Sequence, residues 1–313
     1  MNESIRYLTH NQIDKRQWDH CIESSINRKI YACSWYLDIV AGEWDALVEG
    51  DYNSVFPLPY RQKAGIKYLY QPPFTQQLGI FSKNLLTVEL VNSYLKCIPA
   101  FFKLIEINFN TLNRFTETGF SLTTNSNFEL DLISPYEDLA KRYSENLKRN
   151  LKKASKSNIS LINSPEIRDI IRIFEQNKGK DISVFRRGEY TILMNLMKKS
   201  IDSGIVSVKG VLTSEGKLCA GAFFLEHFNR SIFLFSATDT KAKEVSAMPF
   251  LIDDHIRKFA GIEHTLDFEG SNNADLARFY KSFGSVECNY FSISRNTLSN
   301  LHKFAFKLYK KYR

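Results

Sequence analysis

Two carboxylates near the end of the chain have the spacing of groups that take part in chemistry. Asp267 and Glu269 flank Phe268 at the end of a short apolar run, and the small residues Gly270 and Ser271 follow. The run predicts a buried strand, and alternate residues of an extended strand share one face. Acids at the C-terminal end of a strand, beside a loop and a helix N-terminus, commonly form active sites in α/β folds. We therefore expect one of these acids to act as a base and the other to orient it or to bind a substrate amine.

A helical turn that ends at Gly284 follows this strand. Phe279 and Phe283 are spaced i and i+4, which predicts that they form the buried side of the turn. Between them lie Tyr280, a hydrogen-bond donor or a stacking surface for a ligand, and Lys281, a phosphate ligand or a solvated surface residue. Asp267 also has a purely structural alternative, in which it caps this helix or pairs with a buried arginine.

The order Asp-Phe-Glu-Gly-Ser, followed after a gap by Phe-Tyr-Lys-Ser-Phe-Gly, resembles the C-terminal domain of the Fem-type peptidoglycan-bridge aminoacyltransferases. These belong to the FemAB-like branch of the GNAT acyltransferase superfamily. The resemblance implies an acyltransferase that moves an aminoacyl or acyl group onto an amine, with a cell-envelope precursor as the candidate acceptor. It implies an aminoacyl-tRNA or, as second choice, an acyl-CoA as donor, with no tightly bound cofactor. In the family a Phe-Lys pair precedes Phe-Gly; here Tyr280 holds the lysine position and Lys281 comes one residue later, about 100° around the helix.

The segment that joins the preceding strand and helix is the place where GNAT enzymes bind the pyrophosphate of their coenzyme. Here it runs from Ser236 to Ala247 and contains no glycine. This composition disfavours acetyl-CoA, because a glycine-rich loop lets backbone amides approach a pyrophosphate closely. Ser236, Ser246 as N-cap, and two lysines still allow phosphate binding.

Three further positions complete the predicted substrate site. Ser271 lies in the loop after the two acids, and Arg186 lies in a loop-like stretch, 181–188, where an arginine suits phosphate or carboxylate. Gln76 lies in a proline-stiffened segment, 71–79, which is read as one wall of a cleft. Arg186 can equally be interpreted as a surface residue. The segment around Gln76 can equally be interpreted as a packed connector. No histidine spacing indicates a metal site.

Similar patterns of hydrophobic residues occur twice along the chain. Each half shows a hairpin, a strand, a helix, a strand, and a terminal turn and strand. The fold class predicted is therefore α/β: two tandem GNAT-like domains, each with a mixed central sheet flanked by helices. We expect an N-terminal domain over 1–134, which is degenerate, and a C-terminal domain over 135–313, which carries the active site and a basic C-terminal helix. Ser134 and Pro135 predict the start of the helix that opens the second domain.

Charge and cysteine content limit the partners and the compartment. The net charge is +8, and the segment 141–156 holds seven basic residues against one acid, Glu145. This segment is either a solvated helix face or a contact for tRNA. Five scattered cysteines indicate no disulfide framework, and no apolar run is long enough for a membrane span, so we expect a cytoplasmic protein. Two alternative functions remain open: an acetyl-CoA-dependent N-acetyltransferase of a small amine, and a non-catalytic RNA- or anion-binding module.

Overall fold

The computed structural model describes residues 4–63, 65–116, 119–177, 187–270 and 272–299. The chain divides into two compact units, one formed by 1–125 with 289–313 and the other by 126–288. The predicted C-terminal helix lies outside the described residues. The first unit includes the chain from 289 because residues 292–296 pair antiparallel with 104–108.

The first unit is built on a mixed sheet with helices. Its strands and helices are β1 Ile5–Leu8, α1 Lys15–Ser24, α2 Ser34–Val40, β2 Trp44–Glu49, β3 Ser54–Lys63, β4 Ile66–Leu69, β5 Phe81–Ser82, α3 Val88–Cys97 and β6 Leu104–Asn108. The order of the sheet is β1-β2-β3-β4-β6, with β5 on β3, and only the β4–β6 pair is parallel. The sequence predicts one helix from about Leu85 to Leu104, but the observed helix is shorter: α3 ends at Cys97, Pro99 follows, and β6 begins at Leu104.

The second unit is also a mixed sheet with helices. Strands β7 Ser121–Asp131 and β13 Val286–Asn296 cross the boundary between the units; the other elements are α4 Tyr136–Lys141, α5 Glu145–Ala154, β8 Ser160–Asn163, α6 Ile167–Gln176, α7 Arg187–Asp202, β9 Val206–Leu212, β10 Leu218–His227, β11 Arg230–Thr238, α8 Thr240–Glu244, α9 Ala247–Phe259, β12 Thr265–Asp267 and α10 Ala274–Lys281. The sheet order is β7-β12-β11-β10-β9-β8, and only β11 and β12 run parallel. The predicted α/β class is therefore confirmed.

Local sequence explains where the helices of the second unit begin. Ser144 accepts the amide of Leu147 and so caps α5, and Asn273 accepts two amides at the start of α10. The predicted cap at Ser134 is wrong by one residue: Pro135 is the N-cap of α4 and gives no side-chain cap. The core of the unit lies between the sheet and helices α4, α5, α9 and α10, where Leu147, Leu251 and Phe283 are among the buried side chains.

His255 is a neutral histidine enclosed in this core. Its ring stacks on Phe224 at 3.7 Å between centroids, is 0% exposed, and has no hydrogen-bond partner for either nitrogen among the described residues. Burial, and then the positive charges of Lys209 and Lys258, hold the pKa of His255 well below its usual range. Burial similarly lowers the pKa of His264 to about 4. The unfolded chain binds protons at both rings near pH 6.5, whereas the folded chain does not.

His255→Met is expected to weaken the loss of stability in acid. The unfolded state binds more protons below about pH 6.5, so each such histidine lowers the free energy of unfolding by about 1.4 kcal/mol per pH unit there. Urea unfolding at pH 7.5, 6 and 5 should show a slope smaller by about one proton in the variant. His20 is exposed, so His20→Gln serves as control. An unchanged slope for His255→Met would contradict the argument.

Candidate active site

Strands β11 and β12 pair over only part of their length. The parallel pair joins Arg230, Ser231 and Ile232 to Thr265, Leu266 and Asp267, and β12 then ends. Strand β11 continues to Thr238 and is paired with β10 throughout. In the described part of the chain, the last six residues of β11 have no strand partner on the β12 side. The two strands thus part at Ile232 and leave an opening beside β11.

A β-bulge lies on β11 where the strands part. Phe233 is opposite Phe224 and Phe235 is opposite Phe223, so Leu234 is an extra residue without a counterpart on β10. An extra residue interrupts the ladder and turns backbone groups out of their regular direction, and bulges are frequent next to active sites. The bulge therefore supplies main-chain groups at the opening that the ladder to β10 does not fully use.

The two predicted acids are not on one strand face, and this expectation is corrected. Strand β12 ends at Asp267, and Glu269 has a left-handed backbone with φ of +58°. The turn is held by Asp267, whose Oδ1 accepts the backbone N–H of Glu269 at 3.0 Å. Asp267 is fully buried, whereas Glu269 is half-buried. Asp267 therefore fixes the turn that presents Glu269.

An arginine and a second glutamate, neither of them singled out from the sequence, surround Asp267. Arg230 Nη1 lies 2.9 Å from Asp267 Oδ2 and 2.7 Å from Glu129 Oε1. Burial alone would lower the pKa of the Arg230 guanidinium, but the two carboxylates outweigh it and raise the pKa above its usual range. The contact expected from the structural alternative, in which Asp267 pairs with a buried arginine, is therefore present in the structure. Glu129 reaches it because β7 pairs with β12 and places Glu129 opposite Asp267.

Tyr280 lies against both strands at the point where they part. Its ring stacks on Phe268 at 5.0 Å and meets Phe233 of β11 edge-on at 6.4 Å. Burial, followed by the carboxylate of Glu269, raises the pKa of Tyr280 to about 12. The structure therefore brings Tyr280 and Glu269 together, with the phenol held in its protonated form. Because the core takes up the ring, the hydroxyl is the part of Tyr280 suited to a ligand.

Lys281 points elsewhere. Its ammonium lies 2.7 Å from Glu287 and 5.5 Å from the centre of the Phe128 ring, and its side chain is 52% exposed. Glu287 also accepts a hydrogen bond from Ser126 at 2.6 Å. These contacts match the surface alternative for Lys281.

The two predicted serines lie on either side of α8. Ser236 is half-buried and belongs to β11 rather than to a loop, within the stretch that β12 leaves unpaired. Ser246 is the N-cap of α9 with φ of +57°, and its side chain makes no capping hydrogen bond. It is 7% exposed. Ser236 therefore lines the opening along β11, and Ser246 lies one short helix further along the chain.

A carboxylate occupies the helix start that follows β11. Asp239 caps α8, and its Oδ1 accepts the amide of Ala242 at 2.7 Å. A helix N-terminus attracts anions through its free amides and its dipole. Here an acid of the chain already takes that place, which repels a pyrophosphate.

Three predicted site residues remain: Gln76, Arg186 and Ser271. Gln76 belongs to the first unit, where its side-chain oxygen accepts from Gln77 at 2.7 Å and its carbonyl accepts from Asn108 at 2.8 Å. The segment 71–79, which the sequence predicts to join a strand to a helix, leads into β5 instead. Arg186 and Ser271 lie outside the described residues.

The basic segment 141–156 includes the last residue of α4 and all of α5. Leu147 and Ala154 of α5 are buried, while all seven basic side chains of the segment are exposed. Lys141 pairs with Asp138 and Lys148 with Glu145, each within a helical turn. The other five cations have no ion pair with described residues. The exposed face is therefore strongly positive.

The described residues contain no metal-ligand cluster of three or more histidine, cysteine or acidic side chains. Within the same ranges, no helix combines the length and the apolar character needed to cross a membrane.

The chain has the same fold as several solved structures. The chain matches FemX with a TM-score of 0.64 at 10% identity, over 96% of this chain and 99% of FemX. It matches the C-terminal domain of a putative lysylphosphatidylglycerol synthetase from Agrobacterium fabrum with a TM-score of 0.54 at 10% identity, over 94% and 96%. The L-PGS of Bacillus licheniformis gives a TM-score of 0.52 at 10% identity, over 93% and 94%. No protein-family model and no curated protein sequence matches. The predicted resemblance to Fem-type proteins is confirmed at the level of the fold.

Proposed function

We propose that the protein is an aminoacyltransferase that moves an aminoacyl group from an activated ester onto an amine, with a cell-envelope component as acceptor. The observation that carries this proposal is the opening where β11 and β12 part, with a bulge on one side and Glu269 and Tyr280 on the other. The fold that the chain shares with FemX and with L-PGS supports the same class of reaction. Two tandem GNAT-like domains, 1–134 and 135–313, remain our proposal for the organisation of the chain.

The chemistry assigns one task to each part of the opening. The donor carbonyl binds at the backbone of the β11 bulge, where amide groups stabilise the oxyanion. Glu269 accepts a proton from the acceptor amine as its nitrogen attacks the carbonyl carbon. The bond to the leaving oxygen then breaks, and the Tyr280 hydroxyl gives that oxygen a proton. The proton held by Glu269 passes to the Tyr280 oxygen, which restores both side chains. No covalent bond to the protein is formed, so no nucleophilic side chain is required.

Asp267 acts as a positioning residue in this proposal. Its Oδ1 holds the backbone of Glu269, and its other oxygen is bound by Arg230. Because Asp267 is 0% exposed, it has no surface for a substrate. The roles suggested for Ser236, Ser246, Ser271, Lys281, Arg186 and Gln76 in binding substrate stay predictions.

An aminoacyl-tRNA is the donor we favour, and an acyl-CoA is the second choice. Asp239 at the start of α8 opposes a pyrophosphate there. The exposed cations of 141–156 provide a face for the phosphates of an RNA. This basic face is also what the alternative, a non-catalytic RNA- or anion-binding module, would use.

Comparison of charged with uncharged tRNA tests the donor. The charged form should bind at least about fivefold more tightly, since only it places an acyl carbonyl at the bulge. Lys152→Glu with Lys153→Glu should weaken both forms equally, because phosphate contacts do not distinguish them. Acetyl-CoA at millimolar concentration should leave Tm unchanged.

Equal affinity for the two tRNA forms would favour the binding module. A rise of Tm that scales with coenzyme concentration would instead favour the acetyl-CoA-dependent enzyme. Asp239→Asn is the matched variant for the second case, since it removes the opposing charge and retains a capping side chain.

A further inference from the structure

An open groove of about 320 Å³ lies in the first unit, where the β3–β4 hairpin projects past the end of α2. Its volume lies at the lower end of the range of about 300–1,000 Å³ for small-molecule pockets. Its polar lining includes Glu43, Tyr60, Arg61, Gln62, Lys63 and Tyr68. None of these residues takes part in the proposed transfer reaction, so the groove needs its own explanation.

Arg61 and Lys63 present two positive charges on one face of the hairpin. They are two residues apart on β3, and Tyr68 of β4 lies directly opposite Arg61. The Arg61 guanidinium lies 4.2 Å from the centre of the Tyr70 ring. Such stacking fixes the plane of a guanidinium and leaves its N–H groups free along the edge. Among the described residues, Arg61 has no carboxylate or other hydrogen-bond acceptor.

The other charged groups near the groove are already engaged. The Tyr60 hydroxyl donates to Glu43 Oε2 at 2.8 Å. Lys67 of β4 lies opposite Gln62, and its ammonium is 2.5 Å from Asp45 and 3.4 Å from the centre of the Tyr60 ring. Glu43 is thus the one lining acid, and Arg61 is the lining cation with its donors unused.

We propose that this groove binds the phosphate group of a small molecule, with the phosphate oxygens on Arg61 and Lys63. A guanidinium matches two phosphate oxygens at once, and a second cation favours a dianion over a carboxylate. The groove has room for more than the phosphate, so the ligand is a phosphate ester or a diphosphate. Glu43 places the phosphate at the Arg61 end, because a like charge repels it.

Calorimetric titration of the full chain with inorganic pyrophosphate, glucose 1-phosphate and AMP tests this proposal. Arg61→Gln is expected to weaken the tightest of the three by about tenfold or more. Arg61→Lys retains the charge but loses the forked guanidinium, so its affinity should lie between those of the parent protein and Arg61→Gln. Glu43→Gln preserves the hydrogen bond to Tyr60 and should tighten binding about threefold. Arg172→Gln, at an exposed arginine on α6 of the other unit, is the matched control and should change nothing.

The three probes separate the possible sources of the phosphate. Preference for AMP identifies a nucleotide, preference for glucose 1-phosphate a sugar phosphate, and preference for pyrophosphate a diphosphate. Each of these, if it depends on Arg61 and Glu43, supports the site. Absence of binding, or binding that neither Arg61→Gln nor Arg61→Lys weakens more than Arg172→Gln does, overturns it. A Tm close to that of the parent protein confirms that each variant is folded.

Discussion

Arg230→Gln is expected to lower the free energy of unfolding by about 3–5 kcal/mol, because it leaves a buried carboxylate without its counter-charge. Asp267 is 0% exposed and lies 2.9 Å from the guanidinium, while Glu129 lies 2.7 Å from it. Urea denaturation at pH 7.5 measures the loss. Arg278→Gln is the matched control: Arg278 pairs with Asp275 at 3.6 Å on the surface, and its loss should cost less than about 0.5 kcal/mol.

The network also predicts how a second change compensates the first. Adding Asp267→Asn to Arg230→Gln should restore part of the lost stability, because an amide needs no counter-charge. If Asp267→Asn lowers the free energy of unfolding as much in Arg230→Gln as it does in the parent protein, the two residues are not coupled. That outcome would contradict the role given to the ion pair.

Glu269→Gln is expected to reduce kcat/KM of aminoacyl transfer by about 10²–10⁴-fold, as the loss of a general base does. Stability should change little, because Glu269 is half-buried and its backbone N–H, which Asp267 accepts, is retained. The readout is transfer from charged tRNA together with urea unfolding of the same variant. Asp267→Asn should instead act mainly on stability, with a clear loss in the free energy of unfolding.

The control for this experiment is Glu263→Gln, an exposed acid before β12. It should retain full activity. Activity of Glu269→Gln within about threefold of the parent protein would remove Glu269 from the mechanism, since that is far less than a general base contributes. The fold and the Arg230 network would be unaffected by that result.

Strands and hairpins of the second unit were predictable from sequence because their signals are local. The turn around Gly216 and the alternation on either side place β9 and β10 within a residue or two of their observed ends. Local turn chemistry did not reveal α8, whose five residues form between two predicted elements because Asp239 caps them. An acid before two lysines was a usable signal of that cap.

Prediction of the site was limited by contacts between distant parts of the chain. The acids at 267 and 269 were found because they end an apolar run, but Glu129 lies far earlier in the chain and meets Asp267 only through strand order. The bulge at Leu234 is a property of register between two strands, which neither strand specifies alone. The backbone at Glu269 is left-handed and so separates the two acids. The sequence gives no sign of this conformation, because the residue there is not a glycine.

The unequal pairing of β11 has a consequence for solvent exchange. Amides in the first three residues lie between two strand partners, whereas the last six residues, apart from the bulge at Leu234, pair among the described strands with β10 alone. Amide hydrogens that face the β12 side beyond Ile232 should therefore exchange with deuterium faster than those of residues 230–232 in the same strand. A donor bound along that edge would slow their exchange, so β11 would report occupancy of the site without any turnover.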